Sequence, residues 1–290
     1  MIEGIIISTL VRGGVYALLA SGFSLIFGMA HIINLAHTAF FMLAGYGMFY
    51  FMGELGLGIA PAIAITVPAV TLSGILAYRF LINPIREHLA SVLLMTVALA
   101  MAFQELLLQA FGAHYRTAPA LIPGVTEILG IRVQNQHLLT LGVVAVVILI
   151  VWLVLTKTKL GIAIRATAQD AEIANLMGIS VPRTLLIATG IATALAAVAG
   201  ILVSPLWLIY PQMWMAPLMM VMVIVVLGGL GSIKGSFIGA FIIALVETLV
   251  VFLVPGGSYL QVAFALLAMV IVLVVRPGGL FGIVFEEERL

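Results

Sequence analysis

Cysteine is absent from the 290 residues, and charge is scarce: Asp, Glu, Lys and Arg together make up 8%. Without cysteine there is no disulfide framework, no thiolate metal site and no cysteine nucleophile. The charges that exist are gathered into a few short segments. No acidic or basic residue lies between Arg12 and Glu54, between Arg183 and Lys234, or between Glu247 and Arg276. A soluble domain of this length needs a charged surface, and this chain has nowhere to place one. The formal net charge of +1 gives no electrostatic basis for nucleic acid as a partner. What the chain has in abundance is apolar residues, 64% of the total. Runs of about 20 such residues match the hydrocarbon thickness of a bilayer. The sequence therefore predicts an all-α polytopic membrane protein, a single transmembrane domain over 1–290 with no room for a large soluble catalytic domain.

Spans are expected at about 13–28, 38–53, 59–79, 90–111, 137–156, 184–206, 214–231, 236–254 and 258–275, which makes eight or nine helices depending on whether 31–53 is re-entrant. Residues 1–12 read as a short amphipathic lead-in edged by Glu3 and Arg12, and lack the basic start of a secretory signal. They are treated as mature chain. Strands are not expected, because the apolar runs are long and lack barrel alternation. Nine spans would put Arg79, Arg86, Lys157, Lys159, Arg165, Arg183, Lys234, Arg276 and Arg289 on one side, the cytoplasm, leaving Arg12, Arg116 and Arg132 outside. The N-terminus is then external and the C-terminus cytoplasmic.

Two segments echo each other as a weak internal repeat. Phe27-Gly28 through Asn34 and His37 opens into Phe41–Gly47, and Gly228-Gly229-Leu230-Gly231 opens into Ile238–Ala244. In each, a span breaks near glycine and restarts with small residues. Paired interruptions in the two halves of a transporter mark a permeation path; the alternative is that glycine merely permits close helix packing. His31, Asn34, His37, Gly228, Gly229, Gly231 and the intramembrane Glu247 are thus candidate path residues, with capping of the unpaired backbone at the break as the alternative for His31, Asn34 and His37. An ionised side chain at the bilayer centre costs roughly 3 kcal/mol, so Glu247 should face the bundle interior, bonded to Thr248 or a neighbouring helix, or lining a wet cavity. Glu105 reads as a packing or mouth residue. The spacing of His31 and His37 is poor for a helical metal pair, and no metal or cofactor is expected. Trp207, Tyr210 and Trp214 read as interfacial anchors.

The longest basic segment, 157–183, carries helix punctuation. Asp170 is placed to N-cap a short helix with Glu172 in its first turn. Met177 ends it, Gly178 is suited to the left-handed position that follows, and Pro182 blocks continuation. Ala166, Ala168, Ala171 and Ala174 would let a partner backbone approach, and Ile173, Leu176 and Met177 could fill a shallow groove. A connector lying on the headgroups is the alternative.

The stretch Gly161 to Gly178 resembles the coupling-loop motif of ABC importer permeases. More narrowly, the chain resembles the H-type permease subunit of branched-chain amino acid importers, through Tyr16-Ala-Leu, Gly22, Phe27-Gly and Ile33-Asn-Leu-Ala-His37, through Pro84-Ile-Arg86, through Val226-Leu-Gly-Gly-Leu-Gly-Ser-Ile-Lys-Gly235, and through Pro277-Gly-Gly-Leu-Phe-Gly282. The resemblance implies a pore of two permease subunits, with a related paralogue as partner or a second copy. It implies two cytoplasmic ATP-binding subunits and an extracytoplasmic substrate-binding protein. It also implies that Gly161, Arg165, Ala168, Asp170, Glu172, Ala174, Met177 and Gly178 form the ATPase coupling surface. No phosphate-loop motif is present, so this chain is not expected to hydrolyse ATP. A permease for urea or short amides, a stand-alone secondary transporter coupled through Glu247 or Glu105, and an intramembrane enzyme are the rival readings. The last lacks a nucleophile–base or metal constellation.

Overall fold

The computed structural model describes residues 2–128 and 131–281; Gly282 and Arg289 lie outside the described residues. Helix α1 (Ile2–Ala30) is followed by α2 (His37–Met48), which a π-helical turn carries on to Glu54. Next come α3 (Ile59–Ala77, prolonged by a π-helical and then a 3-10 turn to Ile85), α4 (Leu89–Phe111) and α5 (Asn135–Lys157). Two short helices, α6 (Lys159–Gln169) and α7 (Ala171–Leu176), lead to α8 (Val181–Val203), α9 (Met215–Gly228), α10 (Ile233–Leu253) and α11 (Gly257–Val275). Seven of these elements are long and apolar enough to cross a membrane. Counting α2 with its extension and the shorter α9, each of the nine expected spans falls on a helix. A small antiparallel hairpin, β1 (Val125–Ile128) and β2 (Ile131–Gln134), interrupts the helical pattern in the loop between α4 and α5. It lies outside the apolar runs, where strand pairing was not anticipated.

One correction concerns the start of the chain. Residues 1–12 are not a separate lead-in, because α1 is continuous from Ile2 to Ala30 and enters the bundle at Val11. Arg12 therefore sits within the first membrane helix rather than outside it. From Val11 to Ile26, α1 is enclosed nearly all round, so it carries no amphipathic stripe. Its small residues let neighbours approach from several directions. A β-carbon on Gly14 would lie 3.0 Å from Val144 of α5, and one on Gly22 would lie 3.0 Å from the Ala192 carbonyl of α8. A β-carbon on Gly13 would lie 2.6 Å from Phe241 of α10. The central helix is thus the one whose neighbours come from across the whole chain.

The two ends of the bundle differ in charge. Leu25, Ile26 and Met29 of α1 cluster with Tyr78, Ile82, Ile164, Ala174, Val181 and Leu185. This cluster defines the basic end, where α3 closes, α6 and α7 lie, and α8 begins. At the opposite end Arg116 pairs with Glu54 at 3.2 Å, lies over the Phe49 ring at 4.8 Å and exchanges backbone hydrogen bonds with Ile209.

The aromatic residues before α9 are a second correction. Trp214 is not an interfacial anchor: it is 4% exposed, and its indole N–H donates to Gln104 Oε1 at 2.9 Å. Trp207 packs edge-on against Tyr16 and Phe41. Both face inward because the loop 204–214 folds over the end of the bundle, where Gln104 offers the indole a partner that lipid would not.

Candidate translocation site and coupling surface

The two sequence interruptions are real, and they meet. Helix α1 ends with the His31 amide donating to Phe27, and His31 adopts φ 53°. That left-handed turn reverses the chain. Residues 31–36 then climb back beside α1. Asn34 Oδ1 accepts the Ala36 amide at 3.1 Å, forming a local turn that starts α2. His37 Nε2–H donates to the Leu19 carbonyl at 3.1 Å, against the face left open by Gly22. Buried irregular backbone needs partners inside a membrane protein, and Asn34 and His37 supply them.

The second interruption follows α9. Gly229 and Gly231 have φ 100° and 81°, and Ser232 Oγ caps α10 by accepting the Gly235 amide at 3.1 Å. The Leu227 and Gly228 carbonyls receive the amides of Leu280 and Phe281, at 2.8 and 3.0 Å. The segment Pro277–Phe281 thus seals the end of α9. A β-carbon at Gly28 would come within 3.0 Å of the Gly231 carbonyl oxygen, so the breaks touch through bare backbone. Around this contact lies a cavity of about 600 Å³ whose walls include His31, Gly28, Gly231, Ser232, Arg165 and Pro277. It brings together His31 and Gly231 of the candidate path and Arg165 of the coupling segment. Asn34 and His37 are buried beneath it rather than lining it.

Glu247 stands apart. It is 2% exposed, accepts the Tyr16 hydroxyl at 3.2 Å, and lies 3.6 Å from Arg12 Nη1. Arg12 also donates to Gln261 Oε1 at 3.3 Å, so the cluster joins α1, α10 and α11. Sequence reasoning gave Glu247 an interior position but not this partner. The available signal was that α1 and α10 each hold one strong charge deep in an apolar run. Glu247 is buried while Arg12 is partly exposed, so removing Arg12 strands a buried carboxylate and costs about 1–3 kcal/mol. Arg12→Leu is therefore expected to lower the thermal midpoint of the purified protein, and adding Glu247→Leu is expected to restore most of it. A double variant as unstable as the sum of the singles would show that the two charges are not coupled.

The coupling segment folds largely as its punctuation implies. Asp170 Oδ1 accepts the Ile173 amide at 2.9 Å. Gly178, at φ 84°, donates to Asn175, and Ile179 donates to Ala174, closing the C-terminus in the two-bond Schellman pattern. Pro182 opens α8 in its first turn instead of merely blocking α7. Helix α6 was not foreseen; the Thr158 hydroxyl caps it by accepting the Gly161 amide, and the Arg165 guanidinium donates to the Leu155 carbonyl at the end of α5. Ala174 is buried against the chain's own basic-end cluster and Gly161 against the end of α5, so neither is presented to a partner. Ile173, Leu176 and Met177 are 58%, 80% and 77% exposed. Asp170→Ala is expected to cost about 1 kcal/mol of local helix stability, measured as faster amide exchange over 171–177, with Asp170→Asn restoring protection.

The family model described as "Branched-chain amino acid transport system / permease component" matches residues 5–274. The chain belongs to this family. Among its relatives, the high-affinity branched-chain amino acid transport system permease protein BraD of Pseudomonas aeruginosa is 27% identical over 293 residues, covering 96% of this chain and 94% of BraD. The LivH permease protein of Escherichia coli K12 is 27% identical over 291 residues, covering 93% and 92%. The solved structure of PsaBC from Streptococcus pneumoniae in complex with Fab shares the fold, with a TM-score of 0.54 at 13% identity, over 93% of this chain and 95% of that one. The permease is a multi-pass membrane protein built almost wholly of helices, and its relatives are transport components rather than enzymes. Among the described residues there is no cluster of three or more potential metal ligands.

Proposed function

We propose that this permease forms half of the translocation path of an ABC importer for branched-chain amino acids. A second permease subunit, a related paralogue, supplies the other half. Two cytoplasmic ATP-binding subunits dock on α7, and an extracytoplasmic binding protein delivers the solute. The basic end faces the cytoplasm and the N-terminus lies outside, as the distribution of Lys and Arg favours.

The observation that carries this reading is the placement of α7. Its outer face offers Ile173, Leu176 and Met177, while its inner face seats Ala174 in the cluster that holds Leu25, Ile26 and Met29 of α1. Those α1 residues immediately precede the first break. A push on α7 therefore reaches the point where Gly28 meets Gly231. His31 and Gly231 line the inner part of the path, Gly228 and Gly229 form the second break behind it, and Asn34 and His37 hold the first break in shape. Glu247, tied to Arg12 and Tyr16, steadies the outer half. An apolar bundle with few charges suits a small zwitterion with an apolar side chain. The paired state of Glu247 gives little support to a stand-alone transporter that cycles a proton or ion through that carboxylate.

The test is uptake by proteoliposomes holding the permease, its partner permease, the ATP-binding subunits and the binding protein. Leucine, isoleucine and valine should enter with ATP and compete with one another, while urea and short amides should not compete. Uptake by this chain alone under an ion gradient would reject the proposal.

A further inference from the structure

We propose that the groove between α1, α5 and α10 holds an acyl chain of an anionic phospholipid, with the headgroup phosphate on Arg165 and Lys234. The groove measures about 740 Å³. Its walls are almost entirely apolar, formed by residues such as Leu18, Leu149, Trp152 and Phe237, and at the basic end it meets the translocation cavity at Gly28, Gly231 and Arg165. Leu149 and Trp152 are each about half exposed, so the groove opens sideways from the bundle. No acidic residue lines it, and its cations, Arg165 and Lys234, both lie at the basic end.

Its length is the second observation. The lining runs along α1 from Leu18 to Met29 and along α5 from Ala145 to Thr156. At 1.5 Å per residue each wall is roughly 16 Å long. That is close to half of a hydrocarbon core about 30 Å thick, the depth of one leaflet. A groove of this length that opens at the headgroups of the basic end would reach about the midplane. A solute path must continue past the midplane, whereas a lipid chain stops there. Lys157 and Lys159, beside the same mouth, add to the attraction for an anionic surface. The inference needs only that the basic end lies at a membrane surface, so it stands apart from the identity of the transported solute.

The experiment places the assembled importer in nanodiscs of phosphatidylcholine with a minor share of phosphatidylglycerol, and counts co-purified lipid by native mass spectrometry. The intact protein should retain phosphatidylglycerol in preference to phosphatidylcholine. Lys234→Gln should reduce that preference about fivefold. Ala145→Trp, which fills the inner end of the groove, should displace retained lipid of both kinds. A photoreactive group at Leu149 should cross-link to lipid. Equal retention of the two lipids, unchanged phosphatidylglycerol in Ala145→Trp, or a cross-link from Leu149 to the second permease subunit would each overturn the proposal. If either variant fails to assemble, the cross-link from Leu149 in the otherwise unaltered complex decides.

Discussion

Leucine at Gly231 is expected to cut uptake at least about tenfold. The position has φ 81°, and a β-carbon there would lie 3.1 Å from the Gly28 Cα. The left-handed backbone alone costs an L-residue about 1 kcal/mol. Overpacking adds roughly 1–3 kcal/mol, and the neighbour here is backbone, which cannot rotate away. The strain falls on the contact between the two breaks rather than on a peripheral helix. Uptake per assembled complex should fall at least about tenfold even where some complex forms, as expected when about 1.4 kcal/mol is lost from the competent state. Gly231→Ala should be milder. Gly142→Leu is the control, because nothing lies within 4 Å of a β-carbon there. Normal uptake in Gly231→Leu would mean that close approach of the breaks is dispensable.

Aspartate at Leu176 and Met177 is expected to uncouple the importer. Both side chains are exposed, so replacing them removes little from the permease's own packing. An apolar anchor in a protein interface is often worth 2 kcal/mol or more, and a carboxylate adds a desolvation cost on docking. The double variant should insert and fold normally, yet bind the ATP-binding subunits at least about 30-fold more weakly and show no substrate-stimulated ATP hydrolysis. Ala174→Arg is a poorer probe, because its side chain would lift α7 from its own bundle before reaching any partner. Substrate-stimulated hydrolysis at the normal rate in the Leu176, Met177 double variant would remove α7 from the coupling role.

The parts of the molecule that were legible in the sequence are those set by local or solvent-imposed rules. The bilayer demands long apolar runs, so the nine helices could be marked. Helix ends demand caps, so Asp170 and Gly178 could be assigned to α7 from neighbouring residues alone. Glycines at 28 and 228–231 announced the breaks. What sequence reasoning missed depends on contacts between distant residues. Arg12 looked like the edge of a span because its partner Glu247 lies on another helix far along the chain. Trp207 and Trp214 matched the composition of an interface, but Tyr16, Phe41 and Gln104 turn them inward. Helix α6 lacks a strong local signal, since Gly161 and Thr167 are weak helix formers; its buried Ile164 and Thr158 cap hold it in place. Ala174 was read as outward because small residues suit close approach, and they do, but the approach is to the chain's own cluster.

The enclosure of α1 has a consequence for how the polypeptide is made. Helix α1 leaves the ribosome well before α10, since Glu247 follows Tyr16 by 231 residues. At about 5–20 residues per second, roughly 10–50 s pass before α10 is synthesised. During that interval the Arg12 guanidinium lacks Glu247, and the faces bared by Gly13 and Gly28 lack Phe241 and Gly231. A segment made before α10 is thus completed only when α10 arrives. A chain truncated before α10 leaves Arg12 without Glu247, and is expected to be degraded faster in cells than the full chain, as a pulse-chase comparison would read.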